Sequence, residues 1–227
     1  MEFNTKPNFK KAKEEANMIL LSSNFVYSFP FEISKLVSEK SKVVCTTYKT
    51  AKERCPDLNC ENLGSDDAEL VEYHGKRLIL INKGKYDKRV RFSVGHEFGH
   101  HILQHNLSEK EKTILDIYEV EANIFSAQLL MPEEIINEFI RRGKTVTTRN
   151  IMSWFNVSEE AASKRMDYFI KYDYNKRTVE EQDVYNQLLL KFKSYIDSIA
   201  PVRYYDEDEE ELQNNRNSWF SDRKNYY

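Results

Sequence analysis

Apolar residues recur at helical spacing through most of this chain and turn to short β-type runs only between residues 43 and 82. Phe9, Ala12, Ala16, Ile19 and Leu20 predict an N-terminal helix, and Ile33, Leu36 and Val37 predict a second one after Pro30. Val43 to Tyr48 is β-rich. Residues 51–66 carry Pro56, Asn59, Gly64 and Asp66, which mark a loop. Ala68–Tyr73 and Arg77–Asn82 flank His74-Gly75, a two-residue hairpin signal. The pattern predicts a small antiparallel sheet, and an edge strand in it would suit pairing with an extended peptide.

The helical pattern then resumes. Val94, Phe98 and Ile102 recur every four residues within Val90–Leu103 and predict a core-facing helix. Ile114, Leu115, Tyr118, Phe125, Leu129 and Leu130 predict another. Pro132 suits the first position of a third, with Glu133 and Glu134 at its positive end. A basic linker follows, RRGKTVTTR at 141–149. Next come two short helices, Asn150–Phe155 and Glu159–Tyr168, around Asn156-Val157-Ser158, with Ser158 as N-cap. Val184, Leu188, Phe192, Ile196 and Ile199 predict one late amphipathic helix. The acidic run 206–211 repels itself and reads as disordered, and Trp219, Phe220, Tyr226 and Tyr227 close the tail.

The first of the paired helices carries nameable chemistry. Residues 96–100 read His96-Glu97-Phe98-Gly99-His100, an HExxH. On a helix the two histidines share one face and can hold one metal ion, while Glu97 can take a proton from a water beside it. HExxH fixes only three positions, so its neighbours decide. Gly95 and Gly99 each precede a motif histidine, and glycine costs a helix about 1 kcal/mol relative to alanine, so close packing of another element is expected there. A zinc site needs a third protein ligand and an open fourth position. Glu119 and Glu121 on the next helix are the candidates, and being two apart on a helix only one should reach the metal. His101 and His105 fall off the ligand stripe if the helix runs on, and His74 reads as a turn residue.

RFSVGHEFGHHILQH followed by ExEANxFSAxLLMP closely resembles the ImmA/IrrE family of metallopeptidases. The resemblance continues upstream through Pro30-Phe31-Glu32 and Ile81-Asn82, and downstream through Phe155-Asn156-Val157-Ser158 and Arg165, covering residues 10–170 or so. It implies a gluzincin-like zinc site with His96, His100 and Glu119 as ligands and Glu97 as base. Glu119 is preferred over Glu121 because it is the glutamate of ExxAN. Glu121 and Asn123 then become candidates for the shell behind the ligands, Asn123 tying the two helices together. Gly95 stands where the family often has Ala, and Ser126 where Ala is usual. The implied fold is α+β, a small antiparallel sheet packed with the HExxH and Glu-ligand helices and followed by a helical C-terminal region. The expected organisation is a metallopeptidase domain over 1–140, a helix-turn-helix-like extension over 141–175, an amphipathic helix over 176–200 and an acidic tail over 201–227.

Composition narrows the rest. The net charge of −3 gives no general attraction to nucleic acid or acidic membrane. No apolar stretch is long enough for a membrane span or a signal peptide, which predicts a cytoplasmic protein. Cys45, Cys55 and Cys60 form neither a CxxC nor an even set, so three reduced thiols are expected. Zinc suits two His, one Glu and an open position better than iron or manganese does. The expected function is a zinc endopeptidase that cuts a regulatory protein, by resemblance a repressor encoded on the same mobile element or prophage. The alternatives are an anti-repressor that sequesters its partner without cutting it, with a structural metal, and a DNA-binding regulator acting through the 156–158 hairpin. Arg141, Arg142, Lys144, Arg149, Lys164 and Arg165 make DNA contact conceivable, though a packing hairpin with a solvated basic face is favoured. Tyr118 and His101 are open candidates for an oxyanion stabiliser.

Overall fold

The computed structural model describes residues 6–58, 67–83, 87–106, 108–171 and 177–202. Asn59, Cys60, Gly64 and Asp66 of the expected loop lie outside them, as do the acidic run at 206–211 and the aromatic residues of the tail. In chain order the elements are α1 (Phe9–Ser22), α2 (Ile33–Lys40), β1 (Val44–Thr47), α3 (Tyr48–Arg54), β2 (Ala68–Tyr73), β3 (Lys76–Ile81), α4 (Asp87–Ile102), α5 (Lys112–Leu130), α6 (Glu133–Arg141), α7 (Thr148–Phe155), α8 (Glu159–Lys171), α9 (Val179–Lys191) and α10 (Lys193–Ile199). The fold is α+β, with one three-stranded sheet among the described residues. No described helix is long and apolar enough to cross a membrane.

The hairpin β2–β3 is antiparallel, and His74 (φ 49°) and Gly75 (φ 70°) make its turn in the left-handed region that a tight two-residue turn requires. The sheet as a whole differs from the antiparallel expectation. Its order is β1-β3-β2, and β1 pairs parallel to β3, Val44 opposite Leu78 through Thr47 opposite Ile81. The chain leaves β1 at the same end of the sheet at which β2 begins, Thr47 and Ala68 both standing beside Ile81, so β2 is itself the return that sets β3 parallel to β1. Helix α3 occupies the start of the expected loop. The Thr47 hydroxyl accepts the Thr50 N–H at 3.0 Å and caps it, and Ala51 is buried against Leu78 and Leu80. The late amphipathic stretch is likewise two helices, broken at Phe192, which stays fully buried between Leu188 and Ile196.

α4 and α5 pack closely because two glycines let them. A Cβ at Gly99 would stand 3.0 Å from Phe125 Cδ1 and 3.2 Å from Ala122 Cα, and one at Gly95 would stand 2.6 Å from Ser126 Oγ. One continuous core then runs from Ala12 and Ala16 of α1, through Phe98, Phe125 and Phe139, to Phe192 and Ile196. A buried polar knot fastens the helices around it. The Glu134 carboxylate accepts Asn17 Nδ2 at 2.9 Å and Gln128 Nε2 at 2.7 Å, joining α6 to α1 and α5. Arg165 of α8 donates to the carbonyl of Met131 at 3.0 and 2.7 Å and to Gln128 Oε1. Pro132 is the N-cap of α6 rather than its first residue, and Ser158 caps α8, its hydroxyl accepting the Ala161 N–H at 3.3 Å.

Candidate metal centre

His96 and His100 lie one turn apart on α4, so both imidazoles project to one side. Their Nε2 atoms are 2.9 Å apart. α5 returns alongside and presents Glu119, whose Oε2 is 3.2 Å from His96 Nε2 and whose Oε1 is 3.4 Å from His100 Nε2. One ligand atom from each of the three residues falls within 4.8 Å of the others. Ligands held at about 2.0–2.1 Å around a tetrahedral ion stand about 3.3 Å from one another, so the donor set and its spacing fit a single metal ion. The imidazoles are mostly covered, whereas the Glu119 side chain is 58% exposed, so the centre opens to solvent on that side. The adjoining imidazoles of His100 and His96 hold the Glu119 carboxyl well below the usual carboxylate range. Burial alone would lower the His96 pKa, but its hydrogen bond with Glu119, with help from the Glu97 charge, lifts it above the ordinary value.

Glu97 projects to the neighbouring edge of the sheet. Its Oε2 accepts the backbone N–H of Leu70, in β2, at 2.9 Å. Burial is the larger influence on Glu97 and raises its pKa, even against the pull of His96 and His100. A carboxylate with a raised pKa is a better proton acceptor than an ordinary one. β2 is an edge strand among the described residues, and Leu70 turns its N–H outward, away from β3.

The residues behind the ligands form two separate supports. His96 Nδ1 is 3.1 Å from Asn123 Oδ1, a link from α5 to α4. Asn123 also lines a cleft of about 410 Å³ whose apolar part includes Phe92, Ile124, Ala127 and Ala161. Arg89 and Asp67 form an ion pair at its margin (3.0 Å), as do Lys164 and Glu160 (2.7 Å).

On the other side, His105 lies against His100, with the two Nδ1 atoms 2.9 Å apart, and its Nε2 is 3.0 Å from Glu121 Oε2. Helical extrapolation past His100 misplaces His105. α4 stops at Ile102, Gln104 takes φ 60°, and the His105 N–H returns to the His100 carbonyl at 3.0 Å, which folds the ring under its neighbour. The HHILQH spacing carried no signal for that turn. Burial pushes the His105 pKa down to about 4. Glu121 faces away from Glu119, as two positions on a helix require, and its carboxylate meets His105 Nε2 and the Asn8 N–H rather than the two ligand histidines. Of the two oxyanion candidates, Tyr118 stacks on His105 with ring centres 4.2 Å apart, and His101 Nδ1 is 3.3 Å from Arg77 Nη1 of β3.

Residues 56–167 match the family model described as the IrrE N-terminal-like domain. A 95-residue alignment is 34% identical to the radiation response metalloprotease IrrE of Deinococcus radiodurans, covering 38% of this chain. The alignment spans 28% of that protein's own length.

Proposed function

Residues 56–167 belong to the IrrE N-terminal-like family of peptidases, and from that membership and the site geometry we propose that the chain is a zinc-dependent endopeptidase. The observation that carries the proposal is the convergence of His96, His100 and Glu119 with Glu97 placed between them and a sheet edge. His96 Nε2, His100 Nε2 and the Glu119 carboxylate are the ligands that would hold zinc. A zinc ion there supplies a Lewis acid that polarises a carbonyl and acidifies water. Glu97 takes the proton of the attacking water and passes it to the leaving amine. Asn123 orients His96 through Nδ1. An extended peptide adding along β2 would pass Glu97, with the cleft beside Asn123 ready to take an apolar side chain.

The substrate we propose is a regulatory protein, a repressor encoded on the same mobile element or prophage, met in the cytoplasm. DNA contact by the chain itself is disfavoured. α8 would be the reading helix, yet it opens with Glu159 and Glu160 where a reading helix meets base edges. Arg165 is 3% exposed and bound to Met131, and Arg91 of α4 donates to the carbonyl of Asn156 at 2.7 Å, holding the hairpin turn against the core. Those contacts support a packing role for α7 and α8.

The test is the metal content of the wild type beside Glu119→Ala, followed by incubation with the candidate repressor. One zinc per chain, lost in Glu119→Ala, together with cleavage that disappears in a zinc-loaded Glu97→Gln, is the expected result. A wild type that takes up no zinc on reconstitution sinks the proposal. Relief of repression that survives Glu97→Gln would instead establish sequestration without cutting.

A further inference from the structure

His100 is backed by an unbroken line of hydrogen-bonding groups that ends in another helix. His105 Nδ1 is 2.9 Å from His100 Nδ1, and His105 Nε2 is 3.0 Å from Glu121 Oε2. The second oxygen, Oε1, accepts the backbone N–H of Asn8 at 2.6 Å. Asn8 is the N-cap of α1 and lies 113 positions away from Glu121. His105 is 3% exposed and covered by the parallel ring of Tyr118.

These contacts dictate where the protons sit. A carboxylate only accepts, so Glu121 requires the proton of His105 on Nε2. A neutral imidazole has one N–H, so His105 Nδ1 is bare and accepts. His100 must then carry its own proton on Nδ1, which leaves Nε2 with a free lone pair. That nitrogen is the one 2.9 Å from His96 Nε2 and 3.4 Å from Glu119. The opposite tautomer would set two lone pairs against each other at 2.9 Å with no ion to come between them, as one can between the Nε2 atoms of His96 and His100, and would cap the metal-facing nitrogen with a proton.

We propose that His105 and Glu121 are positioning residues that hold His100 in its metal-binding tautomer, and that the N-cap residue of α1, Asn8, completes the support through its backbone N–H. Zinc binding and the docking of α1 are therefore linked. Whatever seats α1 tightens zinc, and zinc by reciprocity seats α1. The inference rests on the metal reading above, but the proton placement belongs to the protein with or without the ion.

Two measurements on the full chain test it. Side-chain nitrogen NMR of metal-free protein should find His100 protonated on Nδ1 and His105 on Nε2. Competition with a chelator should find zinc bound about 10–100-fold more weakly in His105→Phe, which keeps a ring over Tyr118 but no polar atom. His105→Gln, which can still accept and donate, should recover much of the loss. Asn8→Pro removes the backbone donor and should weaken zinc further than Asn8→Ala, which removes only the side-chain cap. Should His105→Phe fail to fold, Glu121→Gln and Asn8→Pro carry the same comparison. His100 protonated on Nε2, or zinc held as tightly by the folded variants as by the wild type, overturns the positioning role alone. A wild type that binds no zinc overturns the metal reading and this role with it.

Discussion

A methyl group added at Gly95 would stand 2.6 Å from Ser126 Oγ, and that hydroxyl is occupied, donating to the Phe92 carbonyl at 2.8 Å. Gly95→Ala alone should therefore destabilise by about 1–3 kcal/mol despite the helix propensity it gains. Ser126→Ala should cost about 1 kcal/mol for the lost hydrogen bond. The double variant should cost clearly less than the sum, because removing the hydroxyl makes room for the methyl. Denaturant titration of all four proteins measures the coupling, and additivity within about 0.5 kcal/mol would refute it. Burial also raises the Cys45 thiol to about 11. At pH 8 its alkylation should run about a hundredfold slower than that of an ordinary free thiol, followed by peptide mass spectrometry. At this scale the sequence was legible where the chain stays helical. The shared face of His96 and His100 needs only the period of α4, as does the divergence of Glu119 from Glu121 on α5. His105 was not legible, because its position depends on one left-handed residue, Gln104.

Arg165 shows how an element's identity changes once its neighbours are known. In sequence it is one basic residue among several in a hairpin of helix-turn-helix type. In the structure its guanidinium is buried and closes the end of α5 against α8 through Met131 and Gln128. Arg165→Met should cost about 3–5 kcal/mol, since it strips the donor from the buried Met131 carbonyl and Gln128 Oε1 and removes one cationic partner of the Glu133 carboxylate. Thermal unfolding reads that loss directly, and a melting temperature within 1–2 °C or so of wild type would refute it. If α7 and α8 pack rather than read DNA, duplex binding should be no tighter than the general cation-driven level at physiological salt, measured by fluorescence anisotropy over a salt series. The hairpin β2–β3 was legible because the turn residues sit between the two strands they join. The parallel pairing of β1 was not, because it depends on which side of the hairpin a strand distant in sequence joins.

Taken as a whole, the molecule closes on aromatic rings drawn from distant parts of the chain. Phe29 meets Phe155 at 5.2 Å, Phe192 at 5.0 Å and Tyr195 at 5.4 Å between ring centres. Lys191 of α9 reaches back to the carbonyl of Leu21 at 3.0 Å, at the end of α1. Amphipathic periodicity identified Phe192 as core-facing but passed over Phe29 and Tyr195, and it could pair none of them, since a period states which way a side chain points and not what it meets. The consequence is one of timing during synthesis. All three candidate ligands have been made once residue 119 leaves the ribosome, yet two of the rings that lock Phe29, those of Phe192 and Tyr195, are added more than seventy residues later. A nascent chain thus carries its metal-binding groups well before the body that fixes them is complete, and maturation of the centre waits for the last helices to arrive.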